Sequence, residues 1–183
     1  MGGELKEDYS FVQGLESLVE LTSEKQIRFS ELFSKNKTTL AIYSFIYGPN
    51  TEKACPSCTS ILDGLNGSAL HIEQRINFVV VAKSPIQRIR EWAKIRGWNN
   101  LHMLSSENNS YNIDYFAEAG DGSQMPSLNI FSKNDGGIYH TYSTELLYVP
   151  SEEGQDPRHV DSLWPLWNMF DLIPEGRGKD WYP

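Results

Sequence analysis

The chain has 183 residues, of which 39% are hydrophobic and 22% are charged, and it carries a formal net charge of −8. A chain of this length buries roughly 70% of its unfolded surface, so residues 1–183 are predicted to form one domain that needs no disulfide staple. The acidic balance argues against nucleic acid as a partner, because phosphate binding needs clustered cations. We interpret the one basic cluster as a solvated helix face; it comprises Arg88, Arg90, Lys94 and Arg96.

The N-terminus and the overall hydropathy predict a cytoplasmic protein with no membrane partner. Residues 1–8 are polar and acidic, without the apolar core of a secretory signal. No window approaches the run of about 18 apolar residues that a membrane span requires.

The first predicted elements are a hairpin, a helical turn and a central strand. Two partly alternating segments, 9–12 and 17–21, flank Gln13-Gly14 and predict an opening hairpin. Residues 30–33 predict a short helical turn. The apolar, β-branched run 38–46 predicts a strand that is buried on both faces.

The next segments alternate between helix and strand. We expect Cys55 to open a helix that runs toward Arg75, followed by a buried strand at 77–82 and a short strand at 101–104. A second helix lies between these strands. Such alternation implies parallel strands with helices on both faces of the sheet.

The limits of the second helix have specific sequence signals. Ser84 is the predicted N-cap, Pro85 the first helical residue and Gln87 the capping-box partner. Gly97 stands where a glycine commonly ends a helix.

The C-terminal part predicts a hairpin, a loop and a helix. Strands at 127–131 and 137–142 flank an Asp-Gly turn and should pair antiparallel. Residues 150–160 are polar and predict a loop. The aromatic segment 163–170 is predicted to pack on the sheet as a helix.

Both cysteines lie in the sequence Cys55-Pro56-Ser57-Cys58. Two thiols separated by two residues can close a disulfide or pass one to another molecule, and a helix N-terminus lowers the pKa of the first thiol. Since the chain needs no staple, this pair predicts a redox couple.

Metal binding is the first alternative for the cysteines. Structural zinc usually needs four ligands, and His71, His102, His140 and His159 are scattered without ligand spacing. A copper-chaperone role, with His140 joining the two thiolates, is left as an alternative, although an ordinary packed histidine is the better interpretation of His140.

A peroxiredoxin-like peroxidase is the second alternative, because the segment 77–115 also resembles that family. Its pattern P-x-x-x-T-x-x-C places a threonine three residues before the cysteine. Here Glu52 holds that place, Thr51 is one residue too early, and an acidic neighbour would disfavour the thiolate.

A redox-inactive binding module is the third alternative. Aromatic side chains are enriched at interfaces, so the C-terminal segment could dock a partner or form a homodimer. The residues concerned are Trp164, Trp167, Trp181 and Tyr182.

The order of strand, C-x-x-C, helix, α/β insertion and Met125-Pro126 before a strand resembles the thioredoxin-like fold. The resemblance implies a three-layer α/β/α sandwich with a mixed central sheet. It also implies that Pro126 is cis and faces the cysteines, while Met125 offers its backbone to an extended substrate.

Within that superfamily the chain resembles a domain-of-unknown-function family of predicted dithiol-disulfide oxidoreductases. The similar stretches extend from about Tyr9 to Arg177 and are 47–49, 55–58, 78–81, 97–98, 105–115, 139–144 and 171–177.

The resemblance implies a dithiol mechanism without a cofactor, acting on protein or small-molecule thiols and disulfides. Cys55 would be the nucleophile, and Cys58 would resolve the mixed disulfide. Candidate substrate-binding residues are Pro56, Ser57, Met125 and Pro126. Pro56 fixes one backbone torsion, and the Ser57 hydroxyl could reach the thiolate.

Overall fold

A computed structural model of the chain describes residues 3–15, 18, 20, 23–144, 152–154, 163–179, 181 and 183. The strands in these residues form one mixed sheet of eight, in the order β1-β8-β7-β4-β5-β6-β2-β3. The strands are β1 (Gly3–Glu4), β2 (Ser10–Gly14), β3 (Glu24–Arg28), β4 (Thr39–Ser44), β5 (Asn77–Ala82), β6 (Met103–Ser105), β7 (Ser127–Asn134) and β8 (Gly137–Ser143).

Four α-helices and one 3₁₀ helix accompany the sheet within the described residues. The 3₁₀ helix spans Phe29–Leu32, in agreement with the predicted helical turn. The α-helices are α1 (Pro56–Ile72), α2 (Ile86–Arg96), α3 (Tyr111–Asp114) and α4 (Pro165–Phe170).

The centre of the sheet is parallel, as the alternation of strands and helices predicts. Strand β5 pairs in parallel with both β4 and β6, and all six of its residues are buried. Continuous burial explains why the residues after Asn77 in this strand are all apolar, since a strand covered on both faces has no solvent side. Strand β7 joins β4 from the other side in antiparallel pairing, and the β7–β8 hairpin forms around the predicted Asp-Gly turn.

Alternating side chains of β4 divide the interior into two cores. Ala41 and Tyr43 face the core that contains Cys58 and is covered by α1, α2 and α4. Leu40 and Ile42 face a second core, which the 3₁₀ helix and α3 cover. The sheet thus lies between two helical layers, which confirms the predicted three-layer α/β/α sandwich.

The opening hairpin differs from the prediction. The partner of β2 is β3, with Val12 opposite Gln26. The predicted second strand, 17–21, lies mostly outside the described residues. The structure therefore places the strand further along the chain, where Ile27 contributes an apolar side chain opposite Phe11.

The start of α2 also differs from the prediction. Pro85 is the N-cap, and no side chain caps the helix. Ser84 is fully buried; its carbonyl accepts a hydrogen bond from Ser105 Oγ at 2.6 Å, and its own Oγ accepts one from Arg88. Gly97 ends the helix in the left-handed conformation, φ 71°, as predicted.

The aromatic C-terminal segment forms a helix, α4, as predicted, but the hydrogen bond from Trp164 is to α1 rather than to the sheet on which the segment was expected to pack. Trp164 and Trp167 are buried in the same core as Cys58, and Trp164 Nε1 donates to Ser60 Oγ at 2.9 Å. Most of the predicted loop 150–160 lies outside the described residues. No helix in the described part of the chain has the length and apolar character needed to cross a membrane.

Two isoleucines on α2 provide a test of this packing. Ile89 is fully buried against the sheet, whereas Ile95 is 74% exposed. We expect Ile89→Ala to lower the free energy of unfolding by about 2–5 kcal/mol, through lost burial and the cavity left behind. The matched change Ile95→Ala should stay within about 0.5 kcal/mol. Urea unfolding measures both variants, and equal effects would contradict the described orientation of α2.

Candidate redox-active site

Cys55 lies at the junction between the loop after β4 and the first turn of α1. Its backbone N–H donates to the carbonyl of Ile46 at 3.1 Å, which closes the base of the intervening loop. Cys55 is the N-cap of α1, and Pro56 follows at the first helical position. Proline suits this position because its missing N–H would have had no partner inside the helix. The sequence Cys-Pro thus fixes where the helix begins.

The sulfur of Cys55 is surrounded by hydrogen-bond donors. The Cys58 thiol donates to it, and this bond is the largest cause that lowers the pKa of Cys55, to about 6. The backbone N–H groups of Cys58, at 3.4 Å, and of Ser57 lower the pKa further, while partial burial opposes them. Cys55 is therefore largely a thiolate at neutral pH.

Cys58 is the opposite partner, with 1% of its surface exposed. Its hydrogen bond to Cys55 and its burial raise the pKa of Cys58 well above the ordinary value. Tyr43 and the backbone of Ile46 also hydrogen-bond to Cys58 and lower its pKa. Both thiols are free, and only Cys55 is open to solvent.

The two residues between the cysteines differ from each other in exposure. Pro56 is exposed and Ser57 is half-buried. Ser57 lowers the pKa of Cys55 through its backbone N–H, and not through its hydroxyl, which was expected to reach the thiolate.

Met125 and Pro126 lie at the same edge of the sheet as the thiols. Ser127, which follows them, pairs with Ser44 at the carboxyl end of β4. The prediction of a cis proline is wrong: the peptide bonds of the described residues, Met125–Pro126 included, are trans. The trans form is the intrinsically favoured one, and the Met125 N–H is already bonded to Ala117 O at 2.9 Å. That N–H is not available to a substrate in this conformation.

Two arginines of the basic cluster do not lie on a solvated face, contrary to the prediction. Arg90 is 4% exposed, and its guanidinium donates to the carbonyls of Leu15 and Glu20. Arg88 is half-buried and binds the loop that precedes Cys55. The sequence feature that could have shown this is the position of the two arginines in their helix. Both lie in the first turns of α2, which begins at the edge of the sheet where the thiols lie.

The loop before Cys55 contains the two residues, Thr51 and Glu52, at which the chain departs from the peroxidase pattern. Thr51 Oγ1 donates to the Gly48 carbonyl at 3.0 Å, so this hydroxyl is used inside the loop. Glu52 is exposed. Glu52 is not among the groups that shift the pKa of Cys55, which is lowered by the donors of Cys58 and Ser57.

His140 does not join the cysteines, so the copper-chaperone alternative loses its third ligand. Its ring packs against Tyr115 and Phe131 in the core on the other face of the sheet, and its Nε2 is 2.9 Å from Asn129 Oδ1. Across the described ranges, no group of three or more His, Cys, Asp and Glu side chains is arranged to hold a metal ion.

The aromatic docking surface is only partly available. Trp164 and Trp167 are 2% and 0% exposed, so they belong to the core and cannot form an interface. Trp181 is 46% exposed, and Tyr182 lies outside the described residues. A homodimer stays a prediction.

The donors around Cys55 predict a specific pH dependence. The alkylation rate of Cys55 should rise as pH increases through about 6 and level off above it, because the thiolate is the reacting form. In Cys58→Ala the midpoint should move up toward the free-thiol value of about 8.5, because the main donor is lost.

The matched variant Cys58→Ser retains a hydroxyl donor, so its midpoint should shift less than that of Cys58→Ala. Iodoacetamide labelling across the pH range, followed by mass spectrometry, measures these midpoints. A wild-type midpoint near 8.5 would contradict the described donor geometry.

Comparison with solved structures shows what the fold resembles. The chain is similar to reduced 2-Cys peroxiredoxin of Plasmodium vivax, with 16% identity, a TM-score of 0.55, and coverage of 86% of this chain and 87% of that chain. It is also similar to AhpC of Enterococcus faecalis, with 14% identity, a TM-score of 0.54 and coverage of 98% and 96%. Reduced Prx3 of Vibrio vulnificus shares 14% identity, with a TM-score of 0.54 and coverage of 87% and 94%.

At these identities the similarity shows the fold, which is thioredoxin-like and peroxiredoxin-like. No curated protein sequence matches the chain. The family described as bacterial protein of unknown function (DUF899) matches residues 14–183, nearly the whole length. The chain therefore belongs to the DUF899 family, within a thioredoxin-like fold.

Proposed function

We propose that the protein is a thiol–disulfide oxidoreductase in which Cys55 is the nucleophile and Cys58 the resolving thiol. The observation that carries this proposal is the asymmetry of the pair. Cys55 is accessible with a lowered pKa, and Cys58 is buried directly behind it with a raised one. An exchange reaction needs one thiol that meets the substrate and a second one held in reserve.

The reaction proceeds in two successive thiol–disulfide exchange steps. The Cys55 thiolate attacks one sulfur of a substrate disulfide, and the other substrate sulfur leaves as a thiolate that takes a proton from water. Cys58 then gives up its proton, and its thiolate attacks Cys55 Sγ; the second substrate sulfur leaves as a thiolate and takes up that proton. The substrate gains two electrons, and the protein ends with a Cys55–Cys58 disulfide.

The surroundings of Cys58 support the second exchange. Once Cys55 is in a mixed disulfide, its sulfur has no negative charge, and the Cys58 thiol no longer donates a hydrogen bond to a thiolate. The hydrogen bonds from Tyr43 and the Ile46 backbone lower the pKa of Cys58, so they favour the thiolate needed for the attack.

The proposed substrates are extended segments of proteins or small molecules that carry a disulfide. Pro56 and Ser57 flank the thiol, and Met125 and Pro126 share its edge of the sheet. We assign these four residues to substrate binding, with Met125 contributing its side chain or its carbonyl, because its N–H is bonded to Ala117 O. The proposal fits a cytoplasmic protein, because reducing compartments keep such a pair as thiols between turnovers.

A trapping experiment tests the assignment of roles. Purified Cys58→Ser, mixed with a disulfide-containing protein such as insulin, should accumulate a mixed disulfide through Cys55, because the resolving thiol is missing. Non-reducing electrophoresis and peptide mapping detect the adduct. The matched Cys55→Ser variant should form none, since its remaining thiol is buried and protonated.

Other outcomes would overturn the proposal. Adducts through Cys58 in the Cys55→Ser variant would reverse the roles. Rapid consumption of hydrogen peroxide by Cys58→Ser, with no trapped disulfide substrate, would instead favour a peroxidase.

A further inference from the structure

Arg88 of α2 forms hydrogen bonds to the backbone of the loop that leads into Cys55. Arg88 Nη1 donates to the carbonyls of Gly48 and Pro49 at 3.2 and 3.1 Å, and Nη2 donates to the carbonyl of Thr51. Nη1 also lies 3.2 Å from Ser84 Oγ, at the start of the arginine's own helix. One guanidinium therefore ties the loop to α2.

The same guanidinium packs on the first residue of the loop. Arg88 Cζ lies 4.4 Å from the ring centroid of Tyr47, within the range of a cation–π contact. Tyr47 is 5% exposed, so this contact is sheltered from water. Arginine suits the position because its planar fork can bind several oxygens while its face stacks on an aromatic ring.

The opposite side of the loop is also fixed. A Cβ added at Gly48 would lie 3.1 Å from Gln124 Cγ, so the two segments are in close contact. Gln124 Oε1 accepts from Asn112 at 3.0 Å, and Asn112 accepts from Ser106 at 2.6 Å. Gly48 is thus held between Arg88 and a chain of polar side chains that begins at the end of β6.

We propose that Arg88 is a positioning residue for the thiol pair, since its hold on Gly48, Pro49 and Thr51 fixes the loop that delivers Cys55 to the N-cap of α1. The proposal rests on the proposed redox role of Cys55 and Cys58. At its base the loop is closed by the bond from Cys55 N–H to Ile46 O. Without Arg88 the carbonyls of Pro49 and Thr51 would lose their bonds to the guanidinium, and the Gly48 carbonyl would keep only its bonds from Thr51. The first turn of α1 would then hold the Cys55 sulfur less firmly.

The test compares three arginine variants by the pH dependence of Cys55 alkylation. In Arg88→Gln the midpoint should rise by about one pKa unit, which lowers the rate at pH 6 about fivefold and leaves the high-pH plateau unchanged. In Arg88→Lys the midpoint should rise less, because lysine keeps the positive charge but replaces the planar guanidinium with a single ammonium group. The matched control Arg96→Gln removes a guanidinium of the same helix that binds Asp63, and it should stay within about twofold of wild type at pH 6.

Gly48→Ala perturbs the loop from the other side and should move the midpoint in the same direction as Arg88→Gln. It also keeps the test decisive if Arg88→Gln fails to fold, as judged by circular dichroism. A wild-type midpoint in folded Arg88→Gln would overturn the proposal, and so would an equal shift in Arg96→Gln. If Arg88→Gln does not fold, a wild-type midpoint in Gly48→Ala overturns it. Alkylation needs no disulfide substrate, so these results are separate from failure of the proposed exchange reaction, which the trapping experiment detects.

Discussion

The hydrogen bonds that converge on the Cys55 sulfur are the interaction on which the site depends. They come from the first turn of α1 and exist only because Cys55 is the N-cap of that helix. A helix N-terminus has backbone N–H groups without intrahelical partners, and here they find a sulfur acceptor. The buried Cys58 thiol, in the same turn, adds the hydrogen bond that lowers the pKa of Cys55 most, so one piece of local geometry makes the two thiols chemically different.

The sheet holds this turn in place. Strand β4 is buried, and it lies between β5 and β7. Its carboxyl end leads through Ile46 into the loop that ends at Cys55, and Ile46 contacts both cysteines through its backbone groups. The carboxyl ends of parallel strands are a common location for reactive sites, because the following loops and helix N-termini converge there.

The two faces of the sheet have different roles. The core between α1 and one face of the sheet contains Cys58, Tyr43 and the buried tryptophans, so the Cys58 thiol lies in an apolar environment. The other face carries an aromatic cluster with His140 at its margin, joined by ring contacts and hydrogen bonds. His140 belongs to this packing and is separated from the thiols by the sheet itself.

The strongest local signals in the sequence predicted the elements well. The run of valines in β5, the Asp-Gly turn between β7 and β8, and Gly97 at the end of α2 match the structure because each is decided by neighbouring residues. The helix start at Cys55 was predictable for the same reason, and with it the direction of the pKa shift.

Features that depend on distant residues were not predictable. Ser84 is of a residue type that is common at N-caps, yet it is buried and forms contacts with Ser105 and Arg88 that no local sequence pattern reveals. Arg88 and Arg90 fit a helical surface pattern, and only the tertiary structure shows that each binds backbone carbonyls far away in the chain. The wrong expectation of a cis bond before Pro126 came from the resemblance to the thioredoxin-like fold, whereas the dipeptide alone favours the observed trans form by about 0.5–1 kcal/mol.

The most direct measurement of the central claim is the redox equilibrium of the pair. The protein is equilibrated in glutathione buffers of graded ratio and quenched with acid, and the Cys55–Cys58 disulfide is quantified by peptide mapping. A redox-active dithiol should give one reversible transition that follows a two-electron curve, with the disulfide between these two residues. Absence of that disulfide at every ratio, or its formation only between separate molecules, would rule out an intramolecular redox couple.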